Sequence, residues 1–194
     1  MPTIVHEKHI KIVRLSIALD QFPAHLSRHC ISDPTTPEIE RLGAKYVTET
    51  FPLKQTEGFV KAVCKWGNYA GVSGNVLKHN TLTSIQSCFR NAYSAQLKND
   101  PREAIKLVTS LKGFAVSFGS KHLKFLDPER AVVLDSIISE RLGYLRTPDG
   151  YAEFLGDCMS IRDALNTEGI AASKKQRLWR VSDVEMAIFS KLRS

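Results

Sequence analysis

The chain has 194 residues, 43% of them apolar, enough to bury a core the size of one large domain or two small lobes. No run approaches the roughly 18 apolar residues of a membrane span, and the charges among Met1 to Asp20 argue against a secretory leader, so the cytosol or its nucleoid is the expected compartment. The four cysteines, Cys30, Cys64, Cys88 and Cys158, form no paired CxxC, which argues against a zinc ribbon or a disulfide frame and for thiols that are simply buried.

The 27 Lys and Arg outnumber the 20 Asp and Glu, giving a net charge of +7 that favours a polyanionic partner. His25, His29 and Cys30 make a short HxxxHC cluster. A tetrahedral metal site needs a fourth ligand and a second anchoring pair, so the cluster reads as a solvated helix end and no metal is expected.

In chain order, apolar residues recur at helical spacing near residues 6–20, 37–50, 56–66, 81–98, 101–111, 117–126, 128–143, 149–166 and 175–192. Strand-like alternation is almost absent, which predicts an all-α fold. Pro37, Pro101 and Pro128 each follow a side chain able to cap a helix start, Thr36, Asp100 and Asp127. No repeat, low-complexity tract or long linker divides residues 1–194, which read as one domain. Sequence order allows a cleft between a middle lobe, about residues 70 to 145, and a second lobe of N- and C-terminal helices.

The segment from Pro101 to Tyr144 carries the most specific pattern. One helix ends at Leu111, the turn Lys112-Gly113-Phe114-Ala115 follows, and a second helix runs through Lys121 to Leu126, so a helical hairpin spans about 101–126. Gly113 supplies the residue without a Cβ that such a reversal needs. The free N–H groups and dipole at the start of the second helix suit a DNA phosphate. Ala115 stands two residues after Gly113, where the usual hairpin pattern has a second glycine, and Gly119 fills the small-residue position beyond it.

After the hairpin come Ser120-Lys121-His122-Leu123-Lys124-Phe125-Leu126-Asp127-Pro128, a predicted Asp-bearing helix over 128–143, and Val132-Val133-Leu134-Asp135-Ser136 within it. This order resembles the helix-hairpin-helix DNA glycosylase superfamily, and the run is most similar to the branch of 8-oxoguanine DNA glycosylases, the archaeal type in particular. The recognisable residues run from about Trp66-Gly67 to Tyr144, and faintly through Val184-Glu185-Met186-Ala187.

The resemblance implies a nucleophilic lysine at Lys121 and a catalytic aspartate at Asp135. Alignment on the bacterial and eukaryotic enzymes instead sets their lysine at Ser117, one turn earlier on the same face. A nucleophilic lysine must be neutral, and Phe118 and Phe125 are placed to desolvate it. The alternative for Asp135 is a solvent-facing or helix-capping carboxylate, and for Lys121 a solvated helix lysine.

Trp66, Asn68, Tyr69, Phe89, Ser117 and Phe118 are the expected lining for a base flipped out of the stack, with core packing an equal explanation for each aromatic. Lys112, Gly113, Phe114 and Ala115 are the expected DNA contacts. Lys174, Lys175, Arg177 and Arg180 form a second basic patch. The expected partner is double-stranded DNA with a modified base: an oxidised guanine by analogy, or a hypermodified base such as a decorated viral cytosine. A monomer without cofactor is expected, since four clustered cysteines for an iron–sulfur centre are lacking. The competing reading is a DNA-binding module that performs no chemistry.

Overall fold

The computed structural model describes residues 4–6, 9–173 and 177–194. The described residues form ten α-helices and a small antiparallel sheet, so the fold is essentially all-α.

The chain opens with strands β1 (Ile4–His6), β2 (His9–Ile12) and β3 (Leu15–Ala18), paired in sequence order. In β2, Ile10 and Ile12 point inward while His9 and Lys11 point out. Ile10 pairs with Ile17 across the ladder. This corrects the helix expected over 6–20: β-branched residues alternating on a half-buried surface favour the strand, and the turn at Val13, with φ 52°, reverses it.

A single 3-10 turn leads to α1 (Phe22–Ser32), a helix the periodicity had not predicted, and then α2 (Thr36–Thr48) and α3 (Leu53–Trp66). Pro37 does lie in the first turn of α2, yet Thr36 caps nothing. Its buried hydroxyl instead accepts a hydrogen bond from the Trp66 indole at 3.0 Å. Next come α4 (Gly71–His79), also unpredicted, and α5 (Leu82–Leu97), capped by Thr81.

Helices α6 (Pro101–Thr109) and α7 (Val116–Leu126) form the hairpin. Asp100 caps α6 by accepting from the Glu103 N–H at 3.0 Å, as Pro101 had signalled. Helix α7 is buried almost all round, the mark of a central helix, and α2, α3, α5 and α6 pack against it.

The helix expected over 128–143 is halved. Asp127 holds the Glu129 N–H and the Arg130 guanidinium in a turn, residues 131–135 form neither helix nor strand, and only α8 (Ser136–Leu142) is helical. Within that run Ala131, Val132, Val133 and Leu134 are all buried. The apolar continuity that suggested a helix belongs to this threaded segment. Helices α9 (Pro148–Thr167) and α10 (Val181–Leu192) close the fold, α10 lying along α1, and α10 begins six residues later than its expected start.

One contiguous apolar core links these elements. At its centre Phe89 stacks on the His122 ring with centroids 5.4 Å apart, and Phe59 and Phe114 complete the cluster. Burying each such ring contributes about 2–3 kcal/mol. Phe89 is 0% exposed and Phe114 7%, which corrects two expectations: Phe89 lines no pocket and the Phe114 ring faces no DNA.

Candidate active site

A cavity of about 840 Å³ opens between α1 and α2 on one side and the end of α3, α7, the start of α8 and α10 on the other. Lys121 and Asp135 both line it, as do Trp66 and Asn68. Sequence order alone had separated the lysine from the aspartate by fourteen residues; the fold returns them to one cavity.

Lys121 is 7% exposed. Its ammonium lies 4.7 Å from the Phe118 ring centroid and donates to the Ser117 hydroxyl at 3.3 Å. Burial lowers its pKa, with Asp135 and Glu185 pulling the other way and Lys124 adding to the depression. Gly67 makes room for this side chain. A Cβ there would stand 2.8 Å from Phe118 Cε1 and 3.1 Å from Lys121 Cδ, too close for either to stay.

Asp135 is the N-cap of α8, its Oδ1 accepting from the Ile138 N–H at 3.1 Å. It therefore fills the capping role weighed from sequence while also facing the cavity. No direct ion pair joins it to Lys121; the two interact through space. Its position is set by a bond that sequence inspection had not identified. The buried Ser120 hydroxyl accepts from the Leu134 N–H at 3.0 Å, fastening the 131–135 segment to α7 beside Lys121.

Three further groups in the cavity wall were given no part in the site from the sequence. Lys124 is fully buried, its Nζ over the Trp66 and Phe125 rings and 3.4 Å from Met186 Sδ. Burial lowers its pKa, offset by Glu185 and Glu40. Glu185, 3% exposed on α10, is raised to about 7 by burial, Lys124 opposing; the Val133 backbone helps hold it while its Oε2 has no hydrogen-bond partner. His29 is pushed down to about 4 by burial and its Nε2 is likewise unpartnered. The sequence signal for Lys124 and Glu185 was charge inside otherwise apolar helices.

His25 and His29 point inward, which corrects their reading as a solvated helix end. Among the described residues no group of three or more His, Cys, Asp or Glu side chains is arranged to hold a metal, and no helix is long and apolar enough to cross a membrane. All four cysteines are free; Cys64 and Cys158 are buried, Cys88 is partly so, and Cys30 is exposed, against the expectation of four buried thiols.

Of the remaining predicted residues, Tyr69 is 66% exposed and does not line the cavity. In the hairpin turn Lys112 and Ala115 are exposed, and Gly113 adopts φ +105°, which favours glycine. Asn80, unremarked in the sequence, pins this turn from α4 by accepting from the Lys112 N–H and donating to its carbonyl.

The second basic patch divides. Lys174 and Lys175 lie outside the described residues. Arg180 is no surface cation, because it grips Glu40 at 2.9 and 3.0 Å and Asp183, tying α2 to α10. Arg177 is exposed and pairs with Asp183 at 2.6 Å. Burial alone would raise the Asp183 carboxyl, but these two arginines hold it below the ordinary range.

Nothing among protein-family models, curated proteins or solved structures matches this chain.

Proposed function

We propose that this chain is a DNA N-glycosylase with a helix-hairpin-helix fold, acting on a modified base flipped out of double-stranded DNA. The observation that carries the reading is the meeting of a desolvated lysine, Lys121, and a carboxylate, Asp135, in one cavity roomy enough for a base.

The parts divide the work along α7. At its outer end Ala115 offers no capping side chain, unlike Thr81, Asp100, Asp135 and Thr147 at the starts of α5, α6, α8 and α9. The first N–H groups of α7 are thus left for an anion, and a DNA phosphate is the natural partner, with exposed Lys112 beside it. Lys121 lies five residues further on, about 7.5 Å along the axis, within reach of a nucleotide whose neighbouring phosphate is held at the helix start.

In the cavity, the Lys121 amine attacks C1′ of the flipped nucleotide while Asp135 stabilises the positive charge that develops on the sugar. The resulting Schiff base permits strand cleavage by β-elimination. The base is an oxidised guanine by resemblance or a hypermodified base; the cavity volume accommodates both. The chemistry works on a monomer in the cytosol or nucleoid and draws on no cofactor.

The test is borohydride trapping on a duplex with an abasic site. The wild-type protein is expected to form a covalent adduct and Lys121→Gln to form none, at unchanged thermal stability. An equal adduct from the variant excludes Lys121 as nucleophile. No adduct from either, together with salt-dependent duplex binding, would leave the non-catalytic DNA-binding module.

A further inference from the structure

Four charged side chains meet in the inner wall of the cavity: Lys121 and Lys124 from α7, Asp135 from the start of α8 and Glu185 from α10. The proposed chemistry uses Lys121 and Asp135. Lys124 and Glu185 are more deeply buried than either, and a fold does not bury two extra charges without consequence.

We propose that Glu185 is the proton acceptor that turns Lys121 from an ammonium into a nucleophilic amine. This rests on Lys121 being the nucleophile. Both side chains are more than nine-tenths buried on the same cavity, where they attract each other through space without a direct ion pair, and Glu185 Oε2 has no hydrogen-bond partner to compete for a proton.

Burial penalises the ammonium and the carboxylate alike, so one proton moving between them removes two buried charges at once. It lowers the Lys121 pKa and raises that of Glu185 to about 7, the directions this transfer needs. Lys124 then discourages a second positive charge at Lys121, while Asp135 faces the sugar. Around Glu185 the other titratable neighbours are Tyr151 and Cys158 of α9, whose ionisation burial pushes upward, so both stay neutral. Arg180, the N-cap of its helix, is committed to Glu40 and Asp183, and Asp183 to Arg180 and Arg177. His29 of α1 and Asp33, its C-cap, act on the far side, through Lys124 or beside it.

The step balances without a co-reactant. The proton leaves Lys121 Nζ for the Glu185 carboxylate by way of a water in the cavity between them. The freed lone pair forms the N–C1′ bond as the C1′–base bond breaks, its electrons leave with the base, and the base takes up the proton that the newly bonded nitrogen releases. On an abasic site the same amine condenses with the sugar aldehyde and water departs.

The experiment is borohydride trapping on an abasic-site duplex across pH, comparing wild type with Glu185→Gln, with duplex affinity and melting temperature measured alongside. Wild type is expected to trap with a rate that steps up near pH 7. Glu185→Gln should lose the step and trap about a hundredfold more slowly near neutrality. It should recover toward the wild-type rate as the pH approaches the ordinary lysine range near about 10, where bulk base deprotonates Lys121 directly, and its duplex affinity should be unchanged.

A Glu185→Gln protein with the wild-type profile overturns the proposal. So does one that folds and binds duplex yet traps at no pH. If the variant does not fold, the wild-type profile decides: an alkaline rise with no step near neutrality also overturns it. A wild type that forms no adduct at all, or one that Lys121→Gln forms equally, instead refutes the nucleophile itself.

Discussion

Helix α7 meets two environments along its eleven residues. Its outer end is a turn of small and exposed residues, Lys112, Gly113 and Ala115, held by Asn80 and left without a side-chain cap. Its inner stretch, from Gly119 to Leu126, is buried throughout and carries two lysines and a histidine among apolar neighbours. The outer end offers backbone N–H groups, which any sequence with the right turn provides. The inner stretch offers particular side chains whose ionisation the surroundings control. On the proposed reading, a helix built this way separates holding a polyanion from acting on one of its units.

If that division is right, changes at the inner stretch alter stability and rate, and changes at the outer end alter only affinity. The largest expected effect lies behind the inner stretch. Phe89→Ala removes the ring stacked on His122 and should destabilise the fold by about 3–5 kcal/mol in urea unfolding, with trapping in the folded fraction retained. A selective loss of trapping at unchanged stability would instead return Phe89 to the substrate pocket.

The next effect is a pH slope. His122, fully buried, is pushed down to about 4 from an ordinary 6.5, so the unfolded chain takes up its proton first. The stability it contributes is complete above about 6.5 and falls as pH drops toward 4, and His29 acts in the same sense. Glu185, raised to about 7 from 4.5, acts oppositely, its contribution falling as pH rises through that window. His122→Phe should flatten the loss of stability between pH 6.5 and 4 by up to about 1.4 kcal/mol per pH unit. An unchanged slope would mean that His122 is not the group titrating.

The smallest effect belongs to the outer end. Lys112→Ala should leave stability within about 0.5 kcal/mol. It should also reduce the slope of log affinity for duplex DNA against log salt by about 1. A change in trapping rate at saturating DNA would blur the division.

The sequence was most legible where a local rule acts alone. Asp100 before Pro101 marks a helix start because the cap and the fixed φ are both satisfied within four residues. The same rule applied to Asp127-Pro128 fails, since Asp127 finds its donors in a turn and the residues beyond are claimed by Ser120, α9 and α10. Ile10, Val13 and Ile17 fit a helical spacing about as well as Ile10 and Ile12 fit a strand one, and only the cross-strand partner decides.

In the site, Lys121 and Asp135 could be picked out because they fall within a recognisable order of residues. Lys124 and Glu185 could not, and His29 drew notice only as a metal candidate, because nothing in one dimension says that three helices turn these residues toward a single hollow. Phe89 and Phe114 erred the other way: an aromatic residue looks the same in a sequence whether it will stack on a base or on a histidine.

The bond from the Leu134 N–H to Ser120 has a use of its own. It is the fastening that holds the carboxylate wall to the lysine wall, and both ends are shielded from water. The Leu134 amide can therefore exchange its hydrogen for deuterium only when the two walls part. A single backbone proton thus keeps time for the site: exchange faster than that of the surrounding core-helix amides measures how often the cavity comes undone while those helices stay folded.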